Sequence, residues 1–142
     1  MTVFYKTADE IEAVVRNFES CRTGKAVFKH REHLTVAVWY LRNSTLEQAT
    51  NKMRAALLRF LDYHGVGREK YNETLTVFWI RIVSQTLSGT EPDASLVERC
   101  NRVIELRQNP DLALEYYTRE ILWSDEARRS WVIPDRKSLG IV

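Results

Sequence analysis

Cysteine is scarce: Cys21 and Cys100 are the only two in 142 residues, far apart and without CxxC spacing, so no disulfide framework or cysteine-rich zinc module is written here. Long apolar runs are absent as well, and nothing approaches the roughly 18 residues of a spanning helix. The opening "MTVFYKTADE" has neither a basic n-region nor an apolar h-region. A cytoplasmic chain with reduced thiols and no membrane partner is the expectation. Five glycines and three prolines leave little room for long structureless loops. Charge of one sign is lacking too: 21 basic against 19 acidic side chains give a net +2, which offers no broad footprint for nucleic acid. No Gly-rich loop or nucleophile signature supports nucleotide chemistry or acyl transfer.

What is present is helical periodicity in a chain of one-domain length, residues 1–142. Thr7 and Glu10 have capping-box spacing, and Ile11, Val14, Val15 and Phe18 make one stripe, predicting a helix over about 8–20 stopped at Gly24. A second helix is predicted over 29–43 from Leu34, Ala37, Val38 and Leu41. The third starts at Thr45, whose partner is Gln48, and runs through Phe60 and Leu61 to "HGVG". "YNETLTVFWIRIVSQTL" is apolar almost all round. Its β-branched run over 76–83 also suits a buried strand, and the length without Gly or Pro favours a helix.

A fifth helix is expected from a Thr90 cap and Pro92 to about Asn109. A sixth follows as "DLALEYYTREILW" from an Asn109 and Pro110 start, and a short seventh is capped by Ser124. Leu139, Ile141 and Val142 suggest a tail folding back on the bundle. The expected fold is all-α: an up-and-down bundle of four core helices with two or three additional C-terminal helices.

Alternating directions for the first four helices gather every histidine at one end. His30 and His33 open the second helix, His64 closes the third, and Tyr71 and Glu73 begin the fourth. Residues three apart on a helix are neighbours, so His30 and His33 can converge, on the stripe that faces inward. The positive helix end with Lys29 and Arg31 disfavours imidazolium and holds both rings in the form that ligates metal.

Two histidines and one carboxylate suit one divalent metal such as Zn, Fe or Mn, with Glu73 as the carboxylate and His64 as a further ligand. The order His-Arg-Glu-His is not HExxH. The competing reading has His30 as a polar helix-start residue, His33 as an interior imidazole bonded to a carboxylate such as Glu73, and His64 and Glu73 placed by the helix dipole. Trp39, Trp79, Trp123 and Trp131 are expected in the core. Arg22, Lys25, Lys29 and Arg31 are expected as a solvated face, with attraction of an anion to the second helix's start as the alternative.

"FKHREHLTVAVWYL", "KYNETLTVFW" and "SDEARRSWVIPD" together resemble a group of small bacterial helical proteins with F-x-H-x-x-H-L, Y-H-E-T-x-T and A-R-x-x-W-x-x-P-D segments. The resemblance brings no activity with it, but it implies interest in His30, His33, Tyr71, Glu73 and Thr74. This chain departs from the pattern at Asn72, where the group has histidine, which weakens a ligand role for that position or recruits His64. The layout is also similar to other small bundles with three-histidine metal sites, such as the DinB-like group.

The functional expectation is a polar pocket at one end of the bundle that binds a divalent metal or a small-molecule ligand. Were it an enzyme, Glu73 and Tyr71 would be the proton-moving catalytic residues. The alternative is a protein-protein interaction or regulatory module, pairing with itself as a homodimer or with another protein, in which the histidines are structural. Lys52, Arg54 and Arg59 could face DNA, but the second and third helices are too long for a helix-turn-helix pair.

Overall fold

In the computed structural model, which describes residues 3–140, the chain is all-helical. Eight α-helices are present among the described residues: α1 Ala8–Glu19, α2 His30–Leu41, α3 Leu46–Tyr63, α4 Glu73–Ser88, α5 Leu96–Leu106, α6 Ala113–Tyr116, α7 Arg119–Leu122 and α8 Asp125–Arg129. A 3-10 turn, Arg68–Lys70, leads into α4. The β-branched run over 76–83 is the middle of α4, because burial against helices on several sides outweighs its strand propensity.

Helix α2 is the hub, packing against α1, α3, α4 and α5. Its Leu34, Thr35, Val36, Ala37, Val38 and Tyr40 are all buried, a run broken only by half-buried Trp39 and one that a helix enclosed on several sides can carry. α5 therefore belongs to the bundle itself, with Cys100, Val103 and Ile104 in the same core as Ile11, Met53 and Phe78. Asn101 on α5 ties down the N-terminal segment: its Oδ1 accepts from Phe4 N at 3.0 Å and Tyr5 N at 2.9 Å, and its Nδ2 donates to Tyr5 O at 2.9 Å. A buried amide so satisfied adds register without an unpaired group.

The helix starts follow local chemistry. Thr7 with Glu10 and Thr45 with Gln48 form capping boxes as their spacing predicts. The fifth helix begins later than Thr90 and Pro92 suggest. Its cap is Ser95, whose hydroxyl accepts from Glu98 N at 3.1 Å while Glu98 Oε1 accepts from Ser95 N at 3.0 Å. That reciprocal pair satisfies two donors, which a Thr90 start would not.

The predicted sixth helix is broken in two. Tyr117 is extended between α6 and α7, fully buried, and its hydroxyl donates to Val132 O at 2.6 Å. The freed backbone groups find partners in the segment after α8: Arg136 N donates to Tyr116 O at 2.9 Å, and Thr118 N to Asp135 Oδ1 at 2.9 Å. Asn109 caps no long helix and instead makes a turn, accepting from Asp111 N at 3.0 Å.

At the end of α1 the left-handed residue is Cys21, φ 62°, not Gly24. Cys21 N donates to Phe18 O and Arg22 N to Asn17 O, which makes a Schellman closure. Gly24 opens the next turn, accepting from Val27 N and Phe28 N. Gly65 closes α3 in the same manner at φ 65°, with Val66 N donating to Leu61 O at 3.0 Å.

The tail does fold back: Leu139 packs on the core and its carbonyl accepts from Gln85 Nε2 at 2.7 Å. Ile141 and Val142 lie outside the described residues. Thr74 holds the same strand of chain on both sides of Trp131, donating to Ser130 O at 2.8 Å and accepting from Val132 N at 3.2 Å. Among the described residues no helix is long and apolar enough to cross a membrane.

Candidate functional site

The start of α2, the end of α3 and the start of α4 meet around one cleft of about 400 Å³, as alternating helix directions predict. Its apolar wall is Phe28, Leu57, Phe60, Leu61, Leu75 and Trp79. His30, His33, Tyr71, Asn72 and Thr76 supply polar atoms, and Lys29 and Lys70 complete the lining. The size and the apolar bias with a few polar groups are those of small-molecule sites.

Phe28 is fixed by stacking on Phe18, with centroids 4.1 Å apart and planes 9° off parallel. On α4, Asn72, Thr76 and Trp79 stand at steps of four and three and so share one face.

The two histidines have different surroundings. His30 Nε2 donates to the Arg107 carbonyl at 2.6 Å, and its ring stands edge-on to Trp79 at 4.7 Å. Accepting that bond is a use for a carbonyl at the C-terminal end of α5, where the helix offers no N–H partner. His33 lies edge-on to Phe28, and although the residue as a whole is half-buried, its Nε2 is shut off from solvent with no hydrogen-bond partner. Burial, helped by the nearby His30, pushes its pKa down to about 4, so the ring is neutral near pH 7. The facing carboxylate expected as its partner is absent.

That carboxylate, Glu73, is turned toward α3. Arg54 grips it with both arms of its guanidinium, Nε to Oε1 at 2.8 Å and Nη2 to Oε2 at 2.6 Å. Tyr71 donates its hydroxyl proton to Oε1 at 2.6 Å. Burial disfavours the Glu73 charge, yet the hydrogen bonds from Arg54 and Tyr71 outweigh it and hold the carboxyl below its usual range. Burial and the bond to Glu73 raise the Tyr71 phenol above its ordinary value. A carboxylate kept ionised and a phenol kept protonated are both tied to each other, an arrangement that braces α3 against α4 and does not poise either group to move protons near neutrality.

His64 stands apart from the cleft lining, its Nε2 donating to Thr23 O at 3.1 Å and its ring resting 4.5 Å from Phe60. The fold thus brings together His30, His33 and Tyr71 and leaves Glu73 and His64 engaged elsewhere. Among the described residues no three His, Cys, Asp or Glu side chains gather as a metal-ligand group.

Asn72 is not a vacant ligand position. Its Oδ1 caps α4 by accepting from Leu75 N at 3.0 Å, and its Nδ2 donates to Leu122 O at 2.8 Å. Sequence reasoning missed Trp79, Lys70 and Arg54 as site residues. The step of Asn72, Thr76 and Trp79 along one face was a signal for the first; nothing in the pattern pairs Arg54 with Glu73 across two helices.

Of the four tryptophans, Trp79 is buried, Trp39 and Trp131 are half-buried, and Trp123 is exposed. Trp39 and Trp131 each pack under an arginine, Arg42 at 3.8 Å and Arg81 at 5.0 Å from the ring centre. Arg22, Lys25, Lys29 and Arg31 are exposed, as a solvated face should be, and Lys29 reaches the cleft. Comparison of the chain with protein-family models, with curated proteins and with solved structures gave no match.

Proposed function

We propose that the protein binds a small organic ligand in the end cleft, with the ligand's apolar body on Phe60, Trp79 and Leu57 and one polar group meeting His33. The observation that carries this reading is the shielded, unpartnered Nε2 of a neutral His33 beside a cavity of about 400 Å³. A buried polar atom without a partner costs about 1–3 kcal/mol, and a ligand hydrogen bond would recover that. Binding is favoured over catalysis because Tyr71 and Glu73, the acid-base candidates, already satisfy each other. A cytoplasmic, reducing setting fits the two free and buried cysteines.

The test uses a neutral apolar fluorophore, N-phenyl-1-naphthylamine. Saturable enhancement of its emission by the folded protein is expected, weakened at least tenfold in Leu57→Trp, which fills the cleft. Equal binding by a folded Leu57→Trp, or no saturable binding at all, would overturn the reading.

A further inference from the structure

We infer, resting on the cleft as the ligand site, that the ligand class is a small organic acid: a compact aromatic or aliphatic body bearing a carboxylate. In a chain whose acidic and basic groups nearly balance, 19 against 21, the cleft lining contains no acidic side chain, while Lys29 and Lys70 both belong to it. The local imbalance is therefore a property of this surface and not of the whole chain.

Helix α2 adds to it. No side chain caps its first turn: Lys29 holds the cap position, and Glu32 Oε1 accepts from the Lys29 backbone N at 3.0 Å, leaving the N–H groups that follow without a side-chain acceptor. That positive helix end favours an anion. Most helix starts in this protein do the opposite: Thr7, Thr45, Asn72, Ser95, Thr118 and Ser124 each cap theirs with a side-chain oxygen.

His33 is the independent observation that points to a ligand. With its proton on Nε2, the neutral imidazole would be a donor with nothing to donate to. Neither the Glu73 carboxylate nor the Arg107 carbonyl answers it, since Glu73 is held by Arg54 and the Arg107 carbonyl by His30. Two ammonium groups, a helix start whose own carboxylate, Glu32, answers only the Lys29 N–H, and the unpartnered His33 Nε2 together form a donor set, and a carboxylate, with two oxygens and no proton to give, is its complement. Trp79 and Phe60 line the space left for the body behind it.

The experiment compares 2-naphthoate with its neutral isostere 2-naphthamide by isothermal titration calorimetry on the full chain. Naphthoate is expected to bind at least tenfold tighter than the amide, the advantage shrinking as salt rises and falling to about twofold or less in Lys29→Gln/Lys70→Gln, two exposed positions whose loss leaves the core untouched. Equal or weaker binding of naphthoate, with the amide and N-phenyl-1-naphthylamine still bound, overturns the acid class while the cleft stands. An advantage that survives the double lysine variant unchanged overturns the donor set described here. Failure of all three probes to bind overturns both.

Discussion

The imidazole of His30 and the carbonyl of Arg107 lie 2.6 Å apart across 77 positions of chain, joining the start of α2 to the end of α5. That bond separates two side chains which look equivalent in sequence. His30 is spent on holding two helix ends together, and its neighbour one turn on keeps a shielded nitrogen with no hydrogen-bond partner.

Removing the idle nitrogen should therefore be harmless to the fold. His33→Leu exchanges an unsatisfied buried polar atom for an apolar side chain, and urea unfolding should show stability unchanged or raised by about 1 kcal/mol. A loss above about 2 kcal/mol would mean that His33 makes a bond in the ligand-free protein.

Acid should weaken the protein through the same residue. A histidine whose folded pKa is about 4 binds fewer protons folded than unfolded, so stability rises with pH between the two values and is lost as pH falls from about 6.5 toward 4. The full effect is about 3 kcal/mol. Unfolding midpoints across that range should be distinctly flatter for His33→Leu than for the parent.

Glu73 acts lower on the pH scale. Its folded carboxyl titrates below the ordinary value, so its contribution is complete above the unfolded pKa and disappears as pH falls through the folded one. Glu73→Gln at pH 7 should cost about 1–3 kcal/mol by leaving the Arg54 guanidinium without its carboxylate. A second measurement, the Arg54→Ala/Glu73→Gln cycle, should return a coupling of similar size; a coupling near zero would show the brace to be idle.

Asn72 should tolerate no residue that lacks both of its bonds. Asn72→Ala is expected to cost about 2–3 kcal/mol, one part from the lost cap on Leu75 N and one from the unpaired Leu122 carbonyl. Asn72→Asp keeps the cap and loses the donor, so thermal unfolding should place it below the parent. If aspartate matches asparagine, the link to α7 contributes nothing.

Thr74→Val removes the hydroxyl that grips the chain on both sides of Trp131. With Val132 N left short of an acceptor, a loss of about 1–3 kcal/mol is expected, and Thr74→Ser should restore most of it. Hydrogen exchange at Val132 N reads this directly: it should speed up in the valine variant alone.

Most of the bundle is legible in the chain because α1 and α3 carry their own start signals, because apolar residues recur at helical spacing through the first four helices, and because short connections force neighbouring helices to alternate. The meeting of His30, His33 and Tyr71 follows from that alternation alone. What stays hidden depends on partners distant in sequence. Thr90 and Ser95 are equally good caps on paper, and only the answering Glu98 settles the choice. "DLALEYYTREILW" has the composition of one helix, but the pull of Tyr117 into the core and the waiting acceptors and donors around Asp135 and Arg136 break it. The direction of the Glu73 carboxylate is set by Arg54, 19 residues upstream, and periodicity carries no trace of such a pairing.

Both sulfhydryls sit under cover, Cys21 at the left-handed turn after α1 and Cys100 deep in α5, where burial pushes the thiol pKa up to about 12. An alkylating reagent can reach neither without a breathing motion. The chain thus carries two silent clocks, one beneath a surface turn and one at the centre, and the interval between their labelling times records how far the bundle's periphery loosens before its heart does.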